Sequence, residues 1–238
     1  EHILIKSQGD PSLSSYNYET LASGLAAVWA EENTRESLFE AMERRETYAT
    51  TGPRMTVRNF CGFGFEKGDV HRSDFARHGY VNGVPMGGEL NSAPRGKAPT
   101  CLIRALRDPD GANLDRLQIV KGWLNKDGST GEKVYNVAVS DGRKIAKDGS
   151  VKPVGNSVDL SVPSFKNTIG DALLFGEWTD PDFDASKPSF YYVRVLEIPT
   201  PTWAAKDSVF LDVKMPKEVP LVHQERAYTS PIWYTPKG

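Results

Sequence analysis

The sequence predicts an α+β protein: one β-α-β unit, the remnant of a barrel-like α/β domain, followed by a mostly antiparallel β-sandwich. Two observations lead there. Residues 24–55, GLAAVWAEENTRESLFEAMERRETYATTGPRM, read as strand, helix and strand. Beyond Thr100, β-prone segments of about six to eight residues recur between turn signals, and no helical periodicity of useful length interrupts them.

The elements follow in order. Residues 25–30 form a short apolar run of buried-strand type. Asn33 is the expected helix N-cap, with Glu36 three residues later completing a capping box, and Leu38, Phe39 and Met42 give the helix one apolar face. Residues 46–51 are β-prone and stop at Gly52-Pro53. The crossover has the length that parallel strands require. One such unit cannot close a sheet, so its neighbours are expected before residue 1 and the chain reads as the C-terminal part of a larger protein. Residues 62–99 are rich in glycine and lack apolar periodicity, which reads as a long ordered loop or linker. Strands are then expected at 101–107, 117–124, 133–139, 172–178, 190–197 and 209–213, with Asn125-Lys-Asp-Gly128 as a hairpin turn. Alternation in 190–197 puts Val193 and Val195 on one face and Arg194 on the other. The chain divides accordingly into 1–61, the end of the α/β domain; 62–99, the glycine-rich loop; and 100–238, the sandwich.

Composition narrows the partners. With 238 residues the chain is long enough for one or two cores. A net charge of −2 from 29 basic and 31 acidic residues gives no field for polyanions, and the one basic cluster, Arg44 and Arg45 beside Lys6 and Arg54, is local. Nucleic acid and acidic membrane are poor partners. No apolar run approaches the ~20 residues of a membrane span, and EHILIKSQGD lacks the n- and h-regions of a signal peptide. Cys61 and Cys101 could pair or stay two buried thiols. A domain of this size needs no staple, so free thiols are preferred.

In a barrel-like unit the reactive groups follow the carboxyl ends of the strands. These are Glu31, Glu32, Asn33 and Arg35 after the first strand, and Thr50, Thr51 and Arg54 after the second. Glu31, Arg35, Thr51 and Arg54 are the candidate substrate contacts: carboxylates can orient a ligand, and a guanidinium can clamp phosphate or sulfate. Each also has a plain structural reading, in the cap or as a solvated ion pair. Asp69, His71, Asp74 and His78 carry metal-ligand residue types, with His71 and His78 as the weak metal candidates, but their spacing fits no structural zinc site. Fastening the loop over the barrel mouth is the preferred role. His2 and His223 are isolated and read as surface or satisfied histidines. Asp180-Pro-Asp-Phe-Asp184 lacks the glycine and distal glutamate of a calcium loop and reads as a turn. Trp123, Trp178, Trp203, Trp233, Tyr191 and Tyr192 are core residues or a sugar-stacking platform.

The segment ENTRESLFEAMERRETYATTGPRM resembles the end of the hydrolase-like domain in the domain-of-unknown-function family numbered 3604, a group related to PHP-type metallohydrolases. GVPMGGEL at 83–90, LQIVKGWLNKDGSTGEKVYNVAV at 117–139, residues 180–203 and QERAYTSPIW at 224–233 agree with it. The resemblance implies the C-terminal fragment of a metal-dependent hydrolase of anionic esters, phosphate or sulfate. Its divalent metal would be held by upstream His- and Asp-rich motifs that this sequence lacks, so no cofactor is expected in this chain alone. Its partners would be the upstream part of its own chain and a small anionic substrate. Export to the periplasm or outside the cell is compatible with it. The alternative is a stand-alone β-sandwich module that binds saccharide or protein.

Overall fold

The computed structural model of the chain describes residues 24–236. The EHILIKSQGD segment, with His2 and Lys6, lies outside the described residues. The elements are β1 (Leu25–Val28), α1 (Arg35–Glu43), β2 (Thr47–Thr50), β3 (Thr56–Gly62), α2 (Phe75–Asn82), β4 (Val84–Pro85), β5 (Glu89–Asn91), β6 (Thr100–Leu106), β7 (Leu114–Leu124), β8 (Thr130–Val139), β9 (Leu173–Thr179), β10 (Ser189–Glu197), β11 (Thr200–Pro201), α3 (Trp203–Phe210), β12 (Val222–His223), β13 (Arg226–Thr229) and β14 (Ile232–Thr235).

Two sheets share one core. In the larger, β10 is the central strand: β7 runs antiparallel along it and is followed outward by β8. On its other side β13 leads to β2 and β1, while β14 leads to β5 by a parallel pairing. The smaller sheet is antiparallel, in the order β4-β3-β6-β9. Val57, Cys61 and Ile103 from the small sheet meet Leu117, Ile119, Val193 and Val195 from the large one in the core. The expected parity of β10 holds, with Tyr191, Val193 and Val195 buried and Arg194 on the other face, donating from Nε to Gln118 Oε1 at 2.8 Å. The expected hairpin joins β7 to β8 through an Asn125 N–H to Ser129 O bond of 2.8 Å, and Gly128 supplies the positive φ of 84° that the turn needs.

The structure departs from the sequence reading in several places. β1 and β2 pair antiparallel, Leu25 opposite Thr50 and Val28 opposite Thr47. The cause is the end of α1. Arg45 takes a left-handed conformation (φ 60°), Glu46 N–H returns to Ala41 O, and the chain turns straight back along β1. A parallel crossover would need an apolar helix face on the sheet, and α1 buries only Ala41. The helix cap is Thr34 rather than Asn33; its hydroxyl accepts from Ser37 N–H at 3.3 Å, and Ser37 Oγ accepts from the Glu31 and Glu32 amides. Residues 209–213 are no strand, because Thr202 caps α3 and carries the helix to Phe210.

Residues 62–99 hold a 3-10 turn (Asp69–His71), α2, β4 and β5 rather than loop alone. Their anchors Phe65, Val70 and Phe75 bury against Phe60 and Leu102 on the outer face of the small sheet. Cys61 and Cys101 form a disulfide; the register of β3 and β6 sets them directly opposite, with Cα atoms 4.1 Å apart, close enough to bridge without moving the strands. Strands from before residue 62 and after residue 100 share both sheets: β2 pairs with β13, and β3 pairs with β6.

Candidate functional site

Alternation along β10 continues past Val195 to Glu197, so a carboxylate occupies the next inward position, at the end of the sandwich. The β7–β10 register shifts at Leu196 and Glu197, the kind of irregularity that re-aims a side chain. Beside it opens a cleft of about 670 Å³, walled by residues 51–53, 110–112 and 163–165 and by the β11–α3 segment.

Glu197 is 1% exposed. Its carboxylate accepts from the Ala112 amide, and among the described residues its Oε1 has no partner. Burial, then the negative charges of Glu225 and Asp108, pushes its carboxyl up to about 8. The neighbouring Glu225 moves the other way. Burial alone would raise it, but hydrogen bonds from His223 and Thr51, with the charges of His223 and Arg226, outweigh burial and hold it below the usual carboxylate range. His223 Nε2 lies 3.0 Å from Glu225 Oε1, and Thr51 Oγ1 donates to Glu225 Oε2.

Long-range pairing places these groups. β12 sets His223 opposite Thr200 of β11. Gln224 Nε2 donates to Glu197 O at 2.7 Å and to Asp115 Oδ2 at 2.9 Å. Arg143 holds Asp115 from its other side at 2.6 Å. The strand carrying His223 and Glu225 is thereby fastened to the end of β10. Thr200 Oγ1 is buried and, like Glu197 Oε1, has no partner among the described residues. Asp110, Asp207, Glu197 and Glu225 line the cleft against Lys206 and His223. Pro53, Phe165 and the half-exposed Trp203 supply its apolar wall.

Of the residues singled out from sequence, Thr51 lies in this cleft. Arg54 reaches its margin: its amide donates to Asp108 Oδ2 at 2.6 Å while its guanidinium stays largely in solvent. Glu31 and Arg35 are exposed and sit beyond the Val28–Thr47 end of the β1–β2 ladder, opposite the Thr50 end from which Thr51 continues. The antiparallel pairing is why the two loops do not open on one site.

His71 packs edge-on against Phe175, ring centroids 4.8 Å apart. His78 Nε2 lies 2.9 Å from Asp69, and Arg104 donates to the carbonyls of Val70 and Arg72. These contacts fasten the 69–78 segment to the outer face of the small sheet. Among the described residues no three His, Cys, Asp or Glu side chains converge to hold a metal ion.

The aromatic residues divide between faces. Tyr191 and Trp178 pack inward, Tyr192 and Trp233 lie with Phe190 on the outer face of the large sheet, and Trp203 is in the cleft. Glu197 is not among the residues the sequence singles out, and His223 reads as isolated along the chain. The signal for Glu197 was its inward parity after Val193 and Val195; His223 and Glu225 are two apart, but their site depends on pairing with a distant strand.

Among the described residues no helix is long and apolar enough to cross a membrane. Residues 3–236 match a family model described as "Protein of unknown function (DUF3604)". No curated protein and no solved structure gives a significant match.

Proposed function

We propose, for a chain that belongs to the DUF3604 family of proteins of unknown function, that the cleft at the end of β10 is the acid–base site of a hydrolase. Two glutamates that share the cleft and titrate in opposite directions carry this reading. Glu197 keeps its proton up to about pH 8, and Glu225 stays ionised below the usual carboxylate range. Such a division leaves one carboxyl protonated to act as an acid and one ionised to support the base beside it at neutral pH.

In this reading Glu197 is the general acid and protonates the leaving-group oxygen. His223 is the general base and takes a proton from the attacking water. The bond from Nε2 to Glu225 leaves Nδ1 as its basic nitrogen, and the Glu225 carboxylate stabilises the imidazolium that forms. Thr51 fixes the far oxygen of Glu225 and so the plane of the carboxylate. The divalent metal that the resemblance implies has no ligand cluster among the described residues, and no step here passes through one. A phosphate or sulfate ester would meet more carboxylates than cations in this cleft. The buried Cys61–Cys101 bridge supports an oxidising compartment, periplasmic or extracellular.

Hydrolysis of methyl acetate, methyl phosphate, methyl sulfate and methyl glycosides, whose leaving alkoxide needs a proton, across the pH range tests the proposal. The expected outcome is turnover of one series, with kcat/KM falling on a basic limb near the Glu197 value of about 8. Glu197→Gln should lower kcat by ~10²-fold or more and abolish that limb, and His223→Ala should lower it comparably. Undiminished turnover in both variants would overturn the assignment.

A further inference from the structure

We propose that this cleft takes a neutral, hydroxyl-rich ring, a saccharide unit, laid against Trp203 with its hydroxyls bonded to the unpartnered oxygens of Glu197 and Thr200. The substrate class rests on the acid–base reading above; the binding mode rests on the cleft itself.

Three observations converge. Glu197 and Thr200 are 1% and 7% exposed, line the cleft, and each carries an oxygen without a hydrogen-bond partner among the described residues. Buried polar atoms left unpaired cost free energy, and a ligand rich in hydroxyls supplies both donors and acceptors to them. The charge of the lining excludes the obvious competitor. Among the described residues that line the cleft, Asp110, Asp207 and Glu225 face Lys206 and His223, so the lining disfavours an anion more than a neutral polyol.

The third observation is the wall. Trp203 is 55% exposed although it opens a helix that is firmly seated, with Thr202 as its cap and Ala204 and Ala205 buried beneath. A rigid indole presented to a cleft is an apolar surface on which the C–H face of a sugar ring can lie flat. Lys206 Nζ sits 4.6 Å from the ring centroid, where its solvated ammonium can bond a ring hydroxyl or swing aside. A cleft of about 670 Å³ is within the size range of small-ligand sites.

With a glycoside bound, the chemistry balances. Glu197 gives its proton to the glycosidic oxygen as the anomeric C–O bond breaks. Water bonds to the anomeric carbon, and its proton passes to His223.

Isothermal titration of the whole protein with cellotetraose, xylotetraose, mannotetraose and maltotetraose, and with inorganic phosphate and sulfate, tests the inference. At least one tetrasaccharide should bind. Trp203→Ala should weaken it by ~10-fold or more and Thr200→Val by ~5-fold. Phe210→Ala, on the same helix but outside the cleft, should leave it unchanged. Failure of all four sugars to bind, binding indifferent to Trp203→Ala, or competition by phosphate or sulfate would overturn it. The two readings fail separately. Sugar bound equally by wild type and Glu197→Gln, with no glycoside cleaved by either, sinks the acid–base assignment alone; ester turnover without sugar binding sinks the saccharide alone.

Discussion

Glu197 occupies a position where the strand pattern calls for an apolar side chain, and the consequence is a stability that depends on pH. Its folded carboxyl titrates at about 8, against ~4.3 in an unfolded chain. Between those values the folded protein holds a proton that the unfolded chain has released, so stability is full below the unfolded value and declines as pH rises through the folded one. Glu197→Gln removes the decline: the variant should melt above wild type at about pH 8.5 and close to it at about pH 5. Equal melting temperatures at both pH values would refute this. Glu225, held low, has the opposite sign, and its contribution is lost as pH falls. The cap of α1 gives a second residue-scale expectation. Thr34→Ala should cost ~1 kcal/mol in chemical denaturation, while Asn33→Ala should stay within about 0.5 kcal/mol of wild type. Asparagine and threonine are both good caps, and only the backbone path shows which of two adjacent residues is used. The sequence therefore reveals that a cap is present but not which residue provides it.

Elements were legible where local pattern and tertiary setting agree. β10 alternates because its two faces meet different surroundings, and the Asn125–Gly128 turn carries its own chemistry. The helix α2 is not legible, since its inward residues are Phe75 and Gly79 and it shows no apolar stripe; Phe65 and Val70, before it in the chain, are isolated anchors onto Phe60 and Leu102. The seating of α2 depends on Gly79, where a Cβ would fall 2.4 Å from the Phe60 ring. Gly79→Ala should thus destabilise by ~1–3 kcal/mol despite its better helix propensity. Pairing it with Phe60→Leu should recover part of the loss, and a double-mutant cycle in urea reads the coupling. Strictly additive losses would show that the helix does not press on that ring. The antiparallel β1–β2 pairing is hidden from the sequence for a related reason. The length of a connection permits a parallel crossover, but one left-handed residue, Arg45, decides against it.

At the scale of the molecule, the texture of the chain suggests three segments while the sheets join them. β3 lies between β4 and β6, so removing residues before 62 would strip the small sheet of an interior strand and leave Cys101 without Cys61. It would also remove β2 from β13 and expose the edge next to the central strand β10. The cleft crosses the same divisions, drawing Thr51 from before residue 62 and Glu197, His223 and Glu225 from the far end of the chain. That is why one member of the site could be found by reading along the sequence and its partners could not: they meet only once both sheets have formed. A fragment of residues 100–238 should therefore fail to fold. It keeps β6, β7, β9 and β10 but loses Met55 and Val57 from the shared core, and large truncations of a core cost more than the ~5–15 kcal/mol that usually holds a domain together. Circular dichroism and amide dispersion of the fragment check this, alongside calorimetry of the whole chain, in which one cooperative transition is expected. A folded fragment with native-like dispersion, or two separate transitions in the whole protein, would restore the boundary at residue 100 as a true domain division.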